Sequence, residues 1–254
     1  MSDATEKVID EVNGRHGSGT LMRGDARGDP RLEVYSTTYP TLDEALGVGG
    51  WPRARVLELT GEPQAGKTVV GLRACGACQR AGGTAALVDL GHTLDVHMVQ
   101  LCGVDGDKLL VAQPDSGAQG LEVAAALAKS GAVDLVVFDC GPGPITSLED
   151  GDGNLSARLL SQALRALTAT CARTRATALF LTRRGPDTAF GRDLSGIGNG
   201  LRFYASARVE LLAAAECGED GDRMARVVKN KLAAPFRTAE FGLWDTVTDG
   251  PVTS

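Results

Sequence analysis

Residues 61–68 read Gly61, Glu62, Pro63, Gln64, Ala65, Gly66, Lys67 and Thr68. Two glycines five positions apart, followed at once by a lysine and a hydroxyl, form the G-x-x-x-x-G-K-[ST] pattern. Its glycines let the backbone fold tightly enough to turn its N–H groups inward, where they cradle phosphates. Lys67 reaches the β- and γ-phosphates, and the Thr68 hydroxyl takes a place on Mg²⁺. The context fits, because a strand-like run over 55–60 leads in and a helix-like run from Thr68 leads out. A second acidic position completes the ion site. Asp139 ends the apolar run 134–139, where a carboxylate holds Mg²⁺ through water. Hydrolysis needs a further carboxylate to activate water. The strand expected to supply it, 84–89, runs on into Leu90, Gly91 and His92. Glycine accepts no proton. Asp89 lies two residues earlier and is the nearest substitute.

These residues sit in an alternation of strand and helix from Val34 to Thr182. Strands are expected at 55–60, 84–89, 108–112, 134–139 and 177–182. Helices are expected at 42–46, 68–81, 94–101, 118–130 and 155–173. The strand runs are continuously apolar, as in parallel strands covered on both faces. Residues 183–199, rich in Gly, Arg and Asp, read as a long loop. Two strands over 207–212 and 223–231 flank an acidic turn and suggest a hairpin, and a last strand covers 238–244. Residues 4–14 form a short amphipathic helix with Val8, Ile9 and Val12 on one side. The glycine-rich break that follows makes residues 1–33 a helical arm with its linker, 34–245 the core and 246–254 a tail. So short a helix needs a surface to dock on.

At 254 residues the chain can bury a substantial core, and 43% hydrophobic with 23% charged residues is ordinary for a globular protein. The formal net charge of −6 excludes a generally cationic surface, so any nucleic-acid site is a local stripe. No apolar run is long enough for a membrane, and the polar N-terminus lacks a signal peptide's apolar core, so the expectation is a cytoplasmic protein. The six cysteines fall mostly in apolar segments, as small buried hydrophobes in a reducing compartment do. Cys75 and Cys78 form C-x-x-C, but mid-helix and without a second pair at zinc spacing. His92 and His97 likewise lack a partner set for a metal.

The arrangement resembles the bacterial RecA recombinase family through nearly the whole chain. The resemblance is carried by residues 42–50 (LDEALGVGG), 103–105 (GVD), 113–115 (QPD), 130–134 (SGAVD), 161–165 (SQALR) and 203–206 (FYAS). Most telling is 227–236 (VVKNKLAAPF), followed by Ala239, Glu240 and Phe241. The segment 19–24 (GTLMRG) is similar to the one that follows the family's polymerisation helix.

The resemblance implies an α/β ATPase core, with a central twisted, mainly parallel sheet flanked by helices and a short N-terminal helical arm. It implies ATP with Mg²⁺ between subunits of a filament on single-stranded DNA. Lys229 and Lys231 match lysines that reach a neighbour's nucleotide and stabilise γ-phosphate charge in trans. Arg202 and Phe203 match the subunit interface, and Ile9 and Val12 are the arm's docking residues. Asp95 matches an adenine-contacting aspartate, and Met98 stands where the family stacks an aromatic ring. Arg183 stands where the family has a γ-phosphate-sensing glutamine. Arg183, Arg184, Phe190 and Arg192 belong to the second DNA-binding loop, and Gly91 replaces the catalytic glutamate. The arm is short for the family, and its small C-terminal domain has no counterpart up to residue 254.

Three readings stand. One is an accessory or regulatory paralogue that binds nucleotide, single-stranded DNA and/or a RecA-type filament, and hydrolyses ATP weakly. Another is an active DNA-dependent recombinase. The third is a non-catalytic scaffold in translesion synthesis, with a translesion polymerase as partner.

Overall fold

Continuous apolar runs become the inner strands of one sheet. The computed structural model describes residues 2–23, 32–141, 153–184, 198–212 and 222–245. The chain divides between Glu33 and Val34 into two compact units.

In the first unit, helix α1 (Ser2–His16) is followed by a segment that folds back on it. The Asn13 amide donates to Leu21 O at 3.0 Å and accepts from Leu21 N at 2.8 Å. Arg23 pairs with Glu6 at 2.7 Å. The helix runs to His16, past the break expected at Gly14, because a single exposed glycine weakens a helix only modestly. Ile9 and Val12 are half-buried, and Val8 is exposed.

The second unit holds ten strands and six α-helices among its described residues. They follow in the order β1 (Val34–Tyr35), α2 (Pro40–Leu46), β2 (Trp51–Pro52), β3 (Val56–Gly61), α3 (Lys67–Arg80), β4 (Ala85–Asp89), α4 (Val96–Leu101) and β5 (Leu110–Ala112). Then come α5 (Gly117–Ser130), β6 (Leu135–Asp139), α6 (Gly153–Thr174), β7 (Thr177–Arg183), α7 (Gly198–Tyr204), β8 (Ala207–Leu212), β9 (Asp222–Asn230) and β10 (Thr238–Gly242), which brings the strands to ten. Eight of them form one sheet in the order β10-β9-β8-β3-β7-β6-β4-β5. The six from β8 to β5 are parallel, and β9 and β10 extend the sheet antiparallel. The fold class read from the sequence is the one found.

Alternate side chains of each inner strand face opposite layers. Leu57, Leu59, Val137, Leu179, Leu181 and Val209 pack with α3. Val56, Val136, Phe138, Ala178 and Phe180 pack with α5, α6 and Leu201 of α7. Helix α3 is buried along ten consecutive residues, Val69 to Cys78. Gly71 lets it close on the sheet, since a Cβ there would lie 2.8 Å from Leu181 Cδ1.

Several boundaries differ from the sequence expectation for local reasons. The strand expected from 108 begins at Leu110, because Gly106–Lys108 form a single 3₁₀ turn whose Asp107 N–H is accepted by Asp105. The helix expected from 94 begins at Val96, capped by the Asp95 carboxylate. The strand expected to 244 stops at Gly242, where the Asp245 carboxylate accepts the Gly242 N–H. The loop expected over 183–199 is entered after Arg183, the last residue of β7, and α7 begins at Gly198. The short β1–β2 ladder and α7 carry too few periodic residues to be read from sequence.

Candidate nucleotide-binding site

The phosphate loop joins β3 to α3 and is held on several sides. Gly61 must be glycine, because a Cβ there would lie 2.7 Å from Leu211 O on the neighbouring strand. Gly66 has φ +98°, in the left-handed region, and a Cβ would lie 2.6 Å from Leu243 Cδ1. Ala65 is fully buried, and its carbonyl accepts from Arg223 Nε of β9 at 3.2 Å. Gly66 caps α3 without a side chain, so no capping oxygen occupies the first-turn N–H groups. A 14-residue helix therefore presents donors and the positive end of its dipole at the loop.

Lys67 Nζ donates to Gly61 O at 2.9 Å and Glu62 O at 2.7 Å. Its pKa is lowered, first by burial and then by the Arg183 charge, against the opposing pull of Asp139. The β3–β7 register sets Arg183 opposite Gly61, which brings that second cation to the loop. Two cations side by side in a half-buried site favour an anion between them.

Thr68 Oγ1 donates to Asp139 Oδ2 at 2.7 Å. Asp139 Oδ1 accepts the Gly141 N–H at 3.1 Å, which orients the carboxylate. A hydroxyl and a carboxylate oxygen in contact beside a phosphate cradle are hard oxygen donors of the kind Mg²⁺ takes, with water and phosphate completing its shell. The residues therefore fit the ion. Among the described residues no cluster of three or more His, Cys, Asp or Glu could hold a metal by itself.

The parallel pairing Asp89↔Asp139 puts the end of β4 beside this pair. Asp89 is 3% exposed, and its carboxylate is consumed by the following turn. Oδ1 accepts from Gly91 N at 3.1 Å, while Oδ2 accepts from Thr93 N at 2.8 Å, Leu94 N at 3.0 Å and Gln113 Nε2 at 3.2 Å. Both oxygens are thereby engaged, Oδ1 by one donor and Oδ2 by three. The partial substitution considered for Asp89 thus lacks an unengaged oxygen. At Gly91 a Cβ would lie 3.3 Å from Thr93 Oγ1 and 3.5 Å from Asp89 Oδ1, so a side chain fits with a small shift of the threonine.

The Asp95 carboxylate accepts from His97 N and Met98 N at the start of α4, and Met98 is half-buried against the core beside Leu94. At the other end of the sheet, Lys229 Nζ donates to the carbonyls of Arg202 and Phe203, and Lys231 Nζ to that of Phe203 at 3.1 Å. Both lysines thus sit on the last carbonyls of α7, where cations are favoured. The Lys229 pKa is lowered by burial and by the charges of Lys231 and Arg208. Phe203 is 78% exposed beside them. Arg184 is paired with Glu210 at 3.1 Å. Phe190 and Arg192 lie outside the described residues.

Sequence reasoning missed the supports: Leu243 over Gly66, Arg223 on Ala65 O, and Glu210. Only Glu210 left a signal, as an acid inside an apolar strand run. Among the described residues no helix is long and apolar enough to cross a membrane.

A phosphate loop on β3–α3, an acid at the end of β6, the parallel strand next but one to β3, and an antiparallel extension define an α/β protein of the P-loop class. The family model for the RecA N-terminal domain matches residues 3–247. Protein RecA of Desulforapulum autotrophicum is 39% identical over 270 aligned positions, covering 96% of this chain and 76% of that protein. Protein RecA of Acidothermus cellulolyticus is 40% identical, covering 94% and 74%, and that of Bacillus mycoides 38%, covering 94% and 75%. The chain belongs to the RecA family.

Proposed function

We propose that this chain binds ATP with Mg²⁺ at its phosphate loop and acts in DNA recombination and repair as an accessory or regulatory member of its family, with weak ATP hydrolysis. The supporting observation is an imbalance within one site. The phosphate and ion positions are equipped: Lys67 and Arg183 supply cations, and Thr68 and Asp139 would hold Mg²⁺, which would neutralise charge on the β- and γ-phosphates. The end of β4 beside them offers no unengaged carboxylate, because Gly91 has none and both oxygens of Asp89 hold the following turn. A positioned general base contributes about 10²–10⁴-fold. Binding therefore survives where turnover is weakened.

The partners in this reading are single-stranded DNA and/or a RecA-type filament, in the cytoplasm. Asp95 and Met98 border the adenine, and Arg202, Phe203, Ile9 and Val12 belong to subunit contacts. A second reading, the active recombinase, draws on Lys229 and Lys231, which hold the end of α7 beside the exposed Phe203. Turnover measured with and without single-stranded DNA separates the two. A slow rate with intact nucleotide binding supports the accessory role, and a rate typical of the family supports the recombinase.

A further inference from the structure

The carboxylate of Glu210 on β8 sits between two guanidiniums. Its Oε2 accepts from Arg226 Nη2 at 2.5 Å and Nε at 3.2 Å, and its Oε1 lies 3.1 Å from Arg184 Nε. The side chain of Glu210 is 9% exposed, that of Arg184 23% and that of Arg226 47%. Arg226 is fixed as the register partner of Glu210 on β9. Arg184 is fixed where the chain leaves β7, since its N–H donates to Gly61 O at 3.0 Å. Next to this group a second buried acid, Glu58, accepts from Arg208 and from Thr182 Oγ1, so Arg208 is already engaged.

Among the described residues one carboxylate thus faces two arginines. Arg226 alone neutralises Glu210 and makes both bonds to Oε2. Arg184 is the exchangeable member. If its guanidinium turned to an external anion, Glu210 would keep its charge partner and lose one bond at Oε1. A carboxylate and a phosphodiester oxygen offer a guanidinium similar charge-assisted bonds, so the exchange is close to balanced.

We propose that Glu210 is an internal counter-anion for Arg184, and that a phosphodiester of single-stranded DNA displaces it, so that Glu210 sets the affinity for the strand. This rests on the single-stranded DNA binding proposed above. It also changes what Arg184 contributes, because in the absence of DNA the Arg184 charge is already spent on Glu210.

The test is fluorescence anisotropy of a labelled oligo-dT across a salt series, on the full chain with a non-hydrolysable ATP analogue. Glu210→Gln should bind about fivefold tighter or more at low salt, because Arg184 no longer has to leave an internal carboxylate, and the affinity of both proteins should fall with salt. Arg184→Ala combined with Glu210→Gln should cancel the gain. Glu210→Asp keeps the charge for Arg226 but shortens the reach to Arg184. It should shift affinity in the same direction, and it decides the matter if Glu210→Gln does not fold. Wild-type binding with no gain in either Glu210 variant, or a gain that survives Arg184→Ala, overturns the counter-anion role alone. No binding by any variant removes the DNA-binding reading and this proposal with it.

Discussion

The Asp89 carboxylate accepts the Gly91 N–H at 3.1 Å and, through its other oxygen, those of Thr93 and Leu94. Where β4 ends beside the Thr68–Asp139 pair, its one acid staples a turn. Among the described residues the groups that would hold phosphate and Mg²⁺ are in place, and a carboxylate left unengaged at the end of β4 is not.

Asp89 is therefore first a stability residue. Asp89→Ala leaves the backbone N–H groups of half-buried Gly91 and Leu94 and of exposed Thr93 without their acceptor and should destabilise the chain by about 2 kcal/mol. Chemical denaturation checks this. A variant as stable as wild type would mean that water replaces the carboxylate without penalty.

Lys67→Ala should abolish detectable binding of a fluorescent ATP analogue, although the fold is retained. The ammonium touches only loop carbonyls, so its removal spares the core and deprives the phosphates of their in-loop cation. Unchanged nucleotide binding would remove the phosphate-loop reading.

Lys229→Ala and Lys231→Ala should leave isolated nucleotide binding within about twofold, since both lysines lie on the α7 carbonyls. Assembly with ATP analogue and DNA, alone or with a RecA filament, should be lost, and sedimentation reads it directly. The arm's few half-buried aliphatic groups contribute only a few kcal/mol at ~25 cal/mol per Å², before association entropy is subtracted. Full assembly by the double variant would show that the arm or another surface suffices.

The buried thiols among the described residues should be inert in the folded chain. Burial pushes Cys78 and Cys102 up to about 11 and Cys171 up to about 12. A raised thiol pKa contributes stability that is complete below the unfolded thiol's value and is lost as pH rises toward the folded one. Stability should therefore fall from about pH 8.5 to pH 11. Alkylation by iodoacetamide at pH 8 should be slow until denaturant is added. Rapid alkylation of these three in the native state would contradict their burial.

What the sequence made legible was what is local or periodic. The phosphate loop lies in eight consecutive residues, and Asp139 ends a fully apolar run, so both could be located before the fold was seen. The parallel sheet followed from strand runs without alternation. Illegible were the long-range supports. Arg223 meets Ala65, and Arg73 meets Asp245, across 158 and 172 residues, and no local pattern marks such pairs. Asp89 was visible as an acid near the site. The engagement of both its oxygens was not, because the donors come from the backbone of a turn whose path sequence does not fix. Arg184 stood out as a basic loop residue, and its partner Glu210 is brought to it only by the strand order β8-β3-β7.

Steady-state ATP turnover of the wild-type chain and of Gly91→Glu, each with and without single-stranded DNA, tests the central claim most directly. We predict slow turnover by the wild type at saturating nucleotide, weakly stimulated by DNA, and a rise of about tenfold or more on placing a carboxylate at 91, toward the ~10²–10⁴-fold that a positioned general base contributes. Wild-type turnover at a rate typical of the family, unaltered or lowered by Gly91→Glu, would show that another group activates water and would contradict the account.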